Sequence, residues 1–292
     1  MSNQHLRVGL AGLLVNLALS ALKIMAGLFG GSRAVLSDGV HSLSDVTTDI
    51  GVIFSARYCT EPADRQHPYG HGRVDILISL GISLFMAAAG LGLLISAAGH
   101  LLRSTETQPG LIALWAAIVS LVGKEVLFRW THRRALLLKS PSLQTNAWHH
   151  RSDAFSSIPV IVAVVGARYL PGWHFLDSVG GLIVSLLILK LAWKLGFKAL
   201  RQLSDTAAPA DTVRAIKQLA DNVQGVKEVH QIRTRFLGRG WGVDLHVLVD
   251  SKISVRSGHQ IADQVKEALL GQRPDVVDIV VHIEPDGDHR PE

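Results

Sequence analysis

Six mostly apolar stretches dominate the N-terminal two thirds of the chain, near residues 8–30, 34–56, 75–102, 110–130, 146–170 and 177–197. Each is long enough to be a helix crossing the roughly 30 Å of a bilayer's hydrocarbon. The second and fifth are the least hydrophobic and carry histidines and aspartates. Spans that polar are expected to face a bundle interior, shielded from lipid by the four greasier ones. From about Leu203 the pattern changes. Thr206–Asp211 reads as a linker ending in a helix cap. Periodicity then predicts a helix at 211–222 and a strand at 226–237. A second strand at 241–250 shows the alternation Val243, Leu245, Val247, Val249. A helix at 255–270 and a strand at 276–284 complete the order αββαβ, which fits a small two-layer α+β domain. The expected organisation is a polytopic α-helical membrane domain over 1–202 and a C-terminal α+β domain over 203–292. The tail from Asp286 is expected to be loose.

Composition agrees with this division. The 292 residues are 48% hydrophobic and only 18% charged, with mean hydropathy +0.28, too apolar for an ordinary soluble protein. The net charge of +5 does not point to nucleic acid, because the basic residues flank apolar segments. Arg57, Arg65 and Arg73 follow the second span, Arg129, Arg133, Arg134 and Lys139 the fourth, and Lys194, Lys198 and Arg201 the sixth. The alternate loops hold Arg33, Arg103 and Arg168 singly. The positive-inside bias therefore predicts both termini in the cytoplasm, with the chain in the inner (cytoplasmic) membrane. No signal peptide is evident. The single cysteine, Cys59, excludes an intrachain disulfide and a Cys-rich zinc knuckle.

The ionisable residues inside the spans carry the chemistry. His41 and Asp45 are four residues apart, and so are His149 and Asp153. Residues at i and i+4 share a helix face about 6 Å apart along the axis. Two such pairs facing each other would offer two imidazoles and two carboxylates, a tetrahedral set for a divalent ion. Intramembrane ionisable groups cost roughly 2.5–3.5 kcal/mol or more apiece. The competing reading is that they only hydrogen-bond helices together; two matching pairs on the two most polar spans favour an ion site. Asp49, a turn beyond Asp45, reads as a packing acceptor or an access-path group. His150 lies about 100° round the helix from His149, so one site would not easily use both. Lys124 and Glu125 suggest a mutual or cross-helix ion pair, with a transport role as the alternative. Between the second and third spans, Asp64, His67 and His71 could hold an ion with a water; a turn capping the third span is the other reading. In the C-terminal domain, His282 and Glu284 share one side of the last predicted strand, and His230 and His246 fall on the two strands before it.

Three segments together carry a resemblance: Ser37-Asp-Gly-Val-His-Ser-Leu-Ser-Asp45, Pro62-Ala-Asp-Arg-Gln-His-Pro-Tyr-Gly-His-Gly-Arg73, and Asn146-Ala-Trp-His-His-Arg-Ser-Asp153. They resemble the cation diffusion facilitator family over nearly the whole chain. The resemblance implies a homodimeric antiporter in the lipid bilayer, exporting divalent cations in exchange for protons. It implies a transport site of His41, Asp45, His149 and Asp153, and, from some relatives, a second site at Asp64, His67 and His71. It implies a regulatory site near His230, His246, His259, His282 and Glu284 across a dimer interface, with Asp244 and His289 as bystanders. An Arg73–Asp205 link between the two domains is also implied. Some bacterial relatives have aspartate in place of His41. The softer two-His, two-Asp set therefore favours Zn²⁺ or Co²⁺, with Fe²⁺, Cd²⁺, Ni²⁺ and Mn²⁺ left open. The ion is transported and regulatory cargo, and no cofactor is expected. An enzyme is disfavoured, since the chain has no HExxH and no obvious water-activating base beside the paired ligands. A membrane metal sensor that transports little is the remaining alternative. A passive channel is disfavoured because four protein ligands hold an ion too tightly for fast conduction.

Overall fold

The computed structural model describes residues 3–58, 61, 63–103, 108–137 and 141–287. Seven helices come first: α1 (Asn3–Phe29), α2 (Arg33–Tyr58), α3 (Arg73–Arg103), α4 (Leu111–Leu137), α5 (Pro141–Ser156), α6 (Ile158–Tyr169) and α7 (Phe175–Leu203). The remainder runs α8 (Ala210–Asp221), β1 (Glu228–Phe236), β2 (Trp241–Val249), α9 (Val255–Gln272) and β3 (Val276–Pro285). The chain packs as two compact units, residues 1–53 with 81–196, and residues 54–80 with 197–292.

In the first unit, four helices are long and apolar enough to cross a membrane: α1 from Val8, α3, α4 and α7. The six expected spans are thus matched by four on apolarity alone. The second predicted span is helical as α2, but it carries Asp38, His41 and Asp45. The fifth departs from expectation, because it is two helices, α5 and α6, interrupted at Ser157. Pro159 sits in the first turn of α6, where its missing N–H and its ring prevent the α5 hydrogen-bond ladder from continuing. The interruption is a single residue, and Ser157 keeps helical dihedrals (φ −79°, ψ −14°), so the chain changes ladder without a loop.

Small residues let these helices approach closely. A Cβ on Gly180 of α7 would come 2.7 Å from Ala163 Cβ and 3.0 Å from Ala34 Cβ. Around that contact Ala34, Val35, Val160, Val164, Val184 and Ile188 form a core that is almost fully buried. The carboxylate of Asp177, at the start of α7, accepts from Ser32 Oγ and from the Arg33 backbone N–H, both at 2.5 Å. It thereby satisfies donors that the start of α2 would otherwise leave bare. Leu14, Phe29, Leu84, Trp115 and Trp193 are all more than half exposed, an outer apolar surface suited to lipid rather than water.

In the second unit the order αββαβ is as expected, with boundaries within two residues. β1 and β2 are antiparallel; β2 and β3 are parallel, with α9 as the crossover, in the order β1-β2-β3. The alternating Val243, Leu245, Val247 and Val249 meet Ile216, Ala220, Val265 and Leu269 of the two helices in one core. That leaves the opposite face of the sheet for polar residues. A bulge between His230 and Arg233, with Gln231 at φ 46°, resets β1. In the resulting register His230 pairs with His246, and His246 with His282. Three imidazoles therefore lie in one row across three strands.

Candidate metal centres

Within the first unit, α2 and α5 bring Asp45, His149 and Asp153 together. One ligand atom from each lies within 4.8 Å of the others. His149 Nε2 is 3.7 Å from Asp153 Oδ2, as i,i+4 spacing on α5 requires. His41 stands outside that triplet, one turn before Asp45 on α2. Its Nδ1 and the Oδ2 of Asp45 are both buried, with no hydrogen-bond partner among the described residues. Buried polar atoms are nearly always satisfied, so an unpartnered imidazole nitrogen and an unpartnered carboxylate oxygen one helical turn apart suit a shared ligand. The donor set, imidazole and carboxylate, suits a borderline divalent cation.

His150 is turned away, with its Nδ1 3.5 Å from Asn16 Nδ2 on α1. Lys124 and Glu125 do not pair with each other. Glu125 accepts from Arg129 Nε at 2.8 Å and lies 3.9 Å from Arg151 Nε, while the Arg151 guanidinium sits over the Phe128 ring at 4.7 Å. Lys124 reaches across to α5, where its Nζ is 3.5 Å from Asp153 Oδ2. The Asp49 side chain and His289 lie outside the described residues.

Sequence reasoning missed the group behind this triplet. Lys23 of α1 is completely buried; its Nζ donates to Asp38 Oδ2 at 2.9 Å and to Ser42 Oγ at 2.6 Å. A lysine in the middle of an apolar span was itself a signal, since such a charge is tolerated only when paired.

In the second unit, Asp64, His67 and His71 also offer ligand atoms within 4.8 Å of one another. His67 Nδ1 is 3.3 Å from Asp64 Oδ1, and His71 Nε2 is 3.5 Å from Asp64 Oδ2. The same carboxylate accepts the Gln66 and His67 backbone N–H groups at 2.8 and 2.6 Å. The His67 N–H above all holds Asp64 below the usual carboxylate range; slight burial works against this, and the Gln66 N–H adds to it. The loop is held down by close backbone approach: a Cβ on Gly72 would lie 2.0 Å from the Leu237 carbonyl oxygen. Arg73 donates to Asp205 at 2.6 Å, the ion pair expected from the sequence.

On the polar face of the sheet, Glu284 gathers the histidine row. His246 Nδ1 is 2.6 Å from Oε1, His230 Nε2 3.1 Å from Oε2, and His282 Nε2 3.5 Å from Oε1. His230, His246 and Glu284 meet the same 4.8 Å closeness; His282 is more exposed and falls outside it. His259 is elsewhere, on α9, with Nε2 3.4 Å from Asp263. Asp244 pairs with Arg235. Burial pushes the Glu284 carboxyl upward, but the His246 hydrogen bond and the charges of His246, His230 and His282 together hold it below its usual value. A carboxyl depressed in the folded state stabilises fully above its unfolded pKa, and that contribution is lost as pH falls through the folded value. Glu284→Gln is therefore expected to flatten the acid limb of a pH series of unfolding temperatures; a superimposable series would contradict the contact.

Comparison with known proteins bears on the whole chain. Residues 9–204 match the cation efflux transmembrane domain, and residues 208–286 match the cytoplasmic domain of cation efflux proteins. Metal tolerance protein C1 of Arabidopsis thaliana is 35% identical over 94% of this chain, which spans 61% of that protein's length. Two proteins of Bacillus subtilis (strain 168) match almost end to end. The uncharacterized transporter YdbO is 31% identical over 97% of this chain and 98% of its own. The manganese efflux system protein MneS is 31% identical over 96% and 97%. With both domain profiles matched in order and relatives aligned along nearly the full length, the chain belongs to the cation diffusion facilitator family of membrane cation-efflux transporters.

Proposed function

We propose that this protein exports Zn²⁺ from the cytoplasm in exchange for protons, by alternating access. The observation that carries the reading is the convergence of Asp45, His149 and Asp153, with Asp45 Oδ2 and, one helical turn away on α2, His41 Nδ1 both buried and unpartnered among the described residues. Two carboxylates offset the dication's charge, and neutral imidazoles complete the set, so the loaded site is close to neutral. His41 joins the triplet on loading. Ligands must be deprotonated to bind, so an arriving ion releases protons, and protons arriving from outside release the ion. The positive-inside bias supports cytoplasmic termini, and the reading takes six spans, α2 and α5–α6 included, in the inner membrane. The cytoplasmic domain forms the homodimer, with the His230, His246 and Glu284 cluster as a regulatory metal site and Asp64, His67 and His71 as a second one. Metal there shifts the conformational equilibrium only as far as it binds one state better.

Manganese is the second reading, favoured by the likeness to MneS. Ligand chemistry separates the two, because imidazole favours zinc and carboxylate favours manganese. Proteoliposomes with an imposed pH gradient are expected to accumulate zinc ahead of manganese, and His41→Asp to shift that preference towards manganese. Manganese preference in the parent protein would overturn the zinc assignment; absence of gradient-driven flux of any divalent ion would overturn the antiport.

A further inference from the structure

Six buried groups form a closed ring behind the proposed transport site. Asp153 Oδ2 is 3.5 Å from Lys124 Nζ, which donates to Ser42 Oγ at 3.3 Å. Ser42 Oγ also accepts from Lys23 Nζ at 2.6 Å, and Lys23 pairs with Asp38 at 2.9 Å. The Asp38 carboxylate accepts Ser157 Oγ at 3.0 and 3.3 Å, and Ser157 Oγ is 3.3 Å from the Asp153 carbonyl oxygen. None of the six is more than 7% exposed. The ring joins α1, α2, α4 and α5, and it closes on the single residue where α5 gives way to α6.

Charge makes the ring more than packing. Lys23 has its own carboxylate, Asp38. The carboxylate within ion-pair distance of Lys124 among the described residues is that of Asp153, a proposed ligand of the transported ion, and Lys124 shares Ser42 with a second ammonium group. A dication at Asp153 would repel the Lys124 ammonium, which lies 3.5 Å from that carboxylate. Each therefore weakens the other's hold on Asp153.

We infer that Lys124 is a tethered counter-cation: it neutralises Asp153 in the empty site and is displaced when the transported ion binds. The inference rests on the proposed site and deepens it. An empty pair of carboxylates is costly to bury; an internal ammonium lowers that cost and lets the empty carrier complete its return. Because the lysine is tethered, it also weakens ion binding, which favours release on the far side. Displaced from Asp153, it presses on Ser42, which belongs to the ring that holds Asp38 and Ser157, so occupancy reaches the α5–α6 break. Lys124 is thus a positioning residue that sets affinity and turnover without ligating the ion.

The test uses the full-length protein in nanodiscs with zinc as the sole probe, and proteoliposome flux alongside. Lys124→Met is expected to bind zinc about tenfold more tightly, an ordinary size for coupling between two binding events. Its flux KM and its maximal rate are both expected to fall, and Lys124→Arg is expected to restore parent behaviour in both. Unchanged or weaker zinc binding in a folded Lys124→Met would overturn the inference. If that variant does not fold, zinc-loaded and zinc-free structures of the parent decide it. Separation of Lys124 Nζ from Asp153 on loading supports the displacement; a retained contact refutes it. Asp45→Asn keeps the two failures apart. Loss of one bound zinc there, the loop and sheet clusters staying loaded, with unaltered binding in Lys124→Met removes only the tether, whereas a full zinc complement in Asp45→Asn removes the site itself.

Discussion

Asp45→Ala and Asp153→Ala are each expected to reduce zinc affinity by about two orders of magnitude and to bring transport close to background. Four-ligand zinc sites bind with roughly 10–16 kcal/mol, so one ligand's share is about 3 kcal/mol, or about 100-fold in affinity. Asp45 is the cleaner probe, because its Oδ2 has no hydrogen-bond partner among the described residues and its removal breaks no ion pair among them. Asp153→Ala also strips Lys124 of its carboxylate, so part of its loss will be structural. Zinc titration of each variant, with elution volume and unfolding temperature as controls, separates the two. A folded Asp45→Ala protein that transports zinc at the parent rate would remove the site from the account.

Asp38→Ala is expected to produce the largest loss of stability, about 3–5 kcal/mol, because it leaves the fully buried Lys23 ammonium without its carboxylate. Ser42 still accepts from Lys23, but a neutral hydroxyl does not replace a counter-charge. The physical argument makes a second demand. Removing both charges with apolar side chains, as Lys23→Met with Asp38→Leu, is expected to recover most of that loss, since a well-packed hydrophobic pair often equals or exceeds a buried ion pair. Thermal unfolding of the purified variants measures both. A double variant no more stable than Asp38→Ala would show that the ring's shape, rather than its charge balance, holds α1 to α2.

What could be read in the sequence was set by local spacing. The His41–Asp45 and His149–Asp153 steps are i,i+4 pairs, and a helix alone puts each pair on one face. Alternation from Val243 to Val249 and the amphipathic helices on either side were enough for the αββαβ order. The features that escaped depend on what packs against what. Lys23 and Asp38 are fifteen positions apart on successive helices, and no periodicity links them. The histidine row depends on a bulge between His230 and Arg233, which shifts which side chains face each other without changing the strand pattern. Pro159 marks the α5–α6 break, but a proline in a membrane span is often tolerated, so its presence alone does not predict one. Spacing puts His41 on the same helix face as Asp45; the structure brings Asp45, His149 and Asp153 together and leaves His41 outside that group with a buried Nδ1 that has no partner among the described residues.

The most direct measurement is a zinc-edge anomalous difference map from crystals of the full-length protein grown with limiting zinc. The account predicts a peak between α2 and α5, within about 2.0–2.2 Å of oxygens of Asp45 and Asp153 and of nitrogens of His41 and His149. Zinc at the loop and sheet clusters, with an empty space between those helices in every conformation captured, would contradict it.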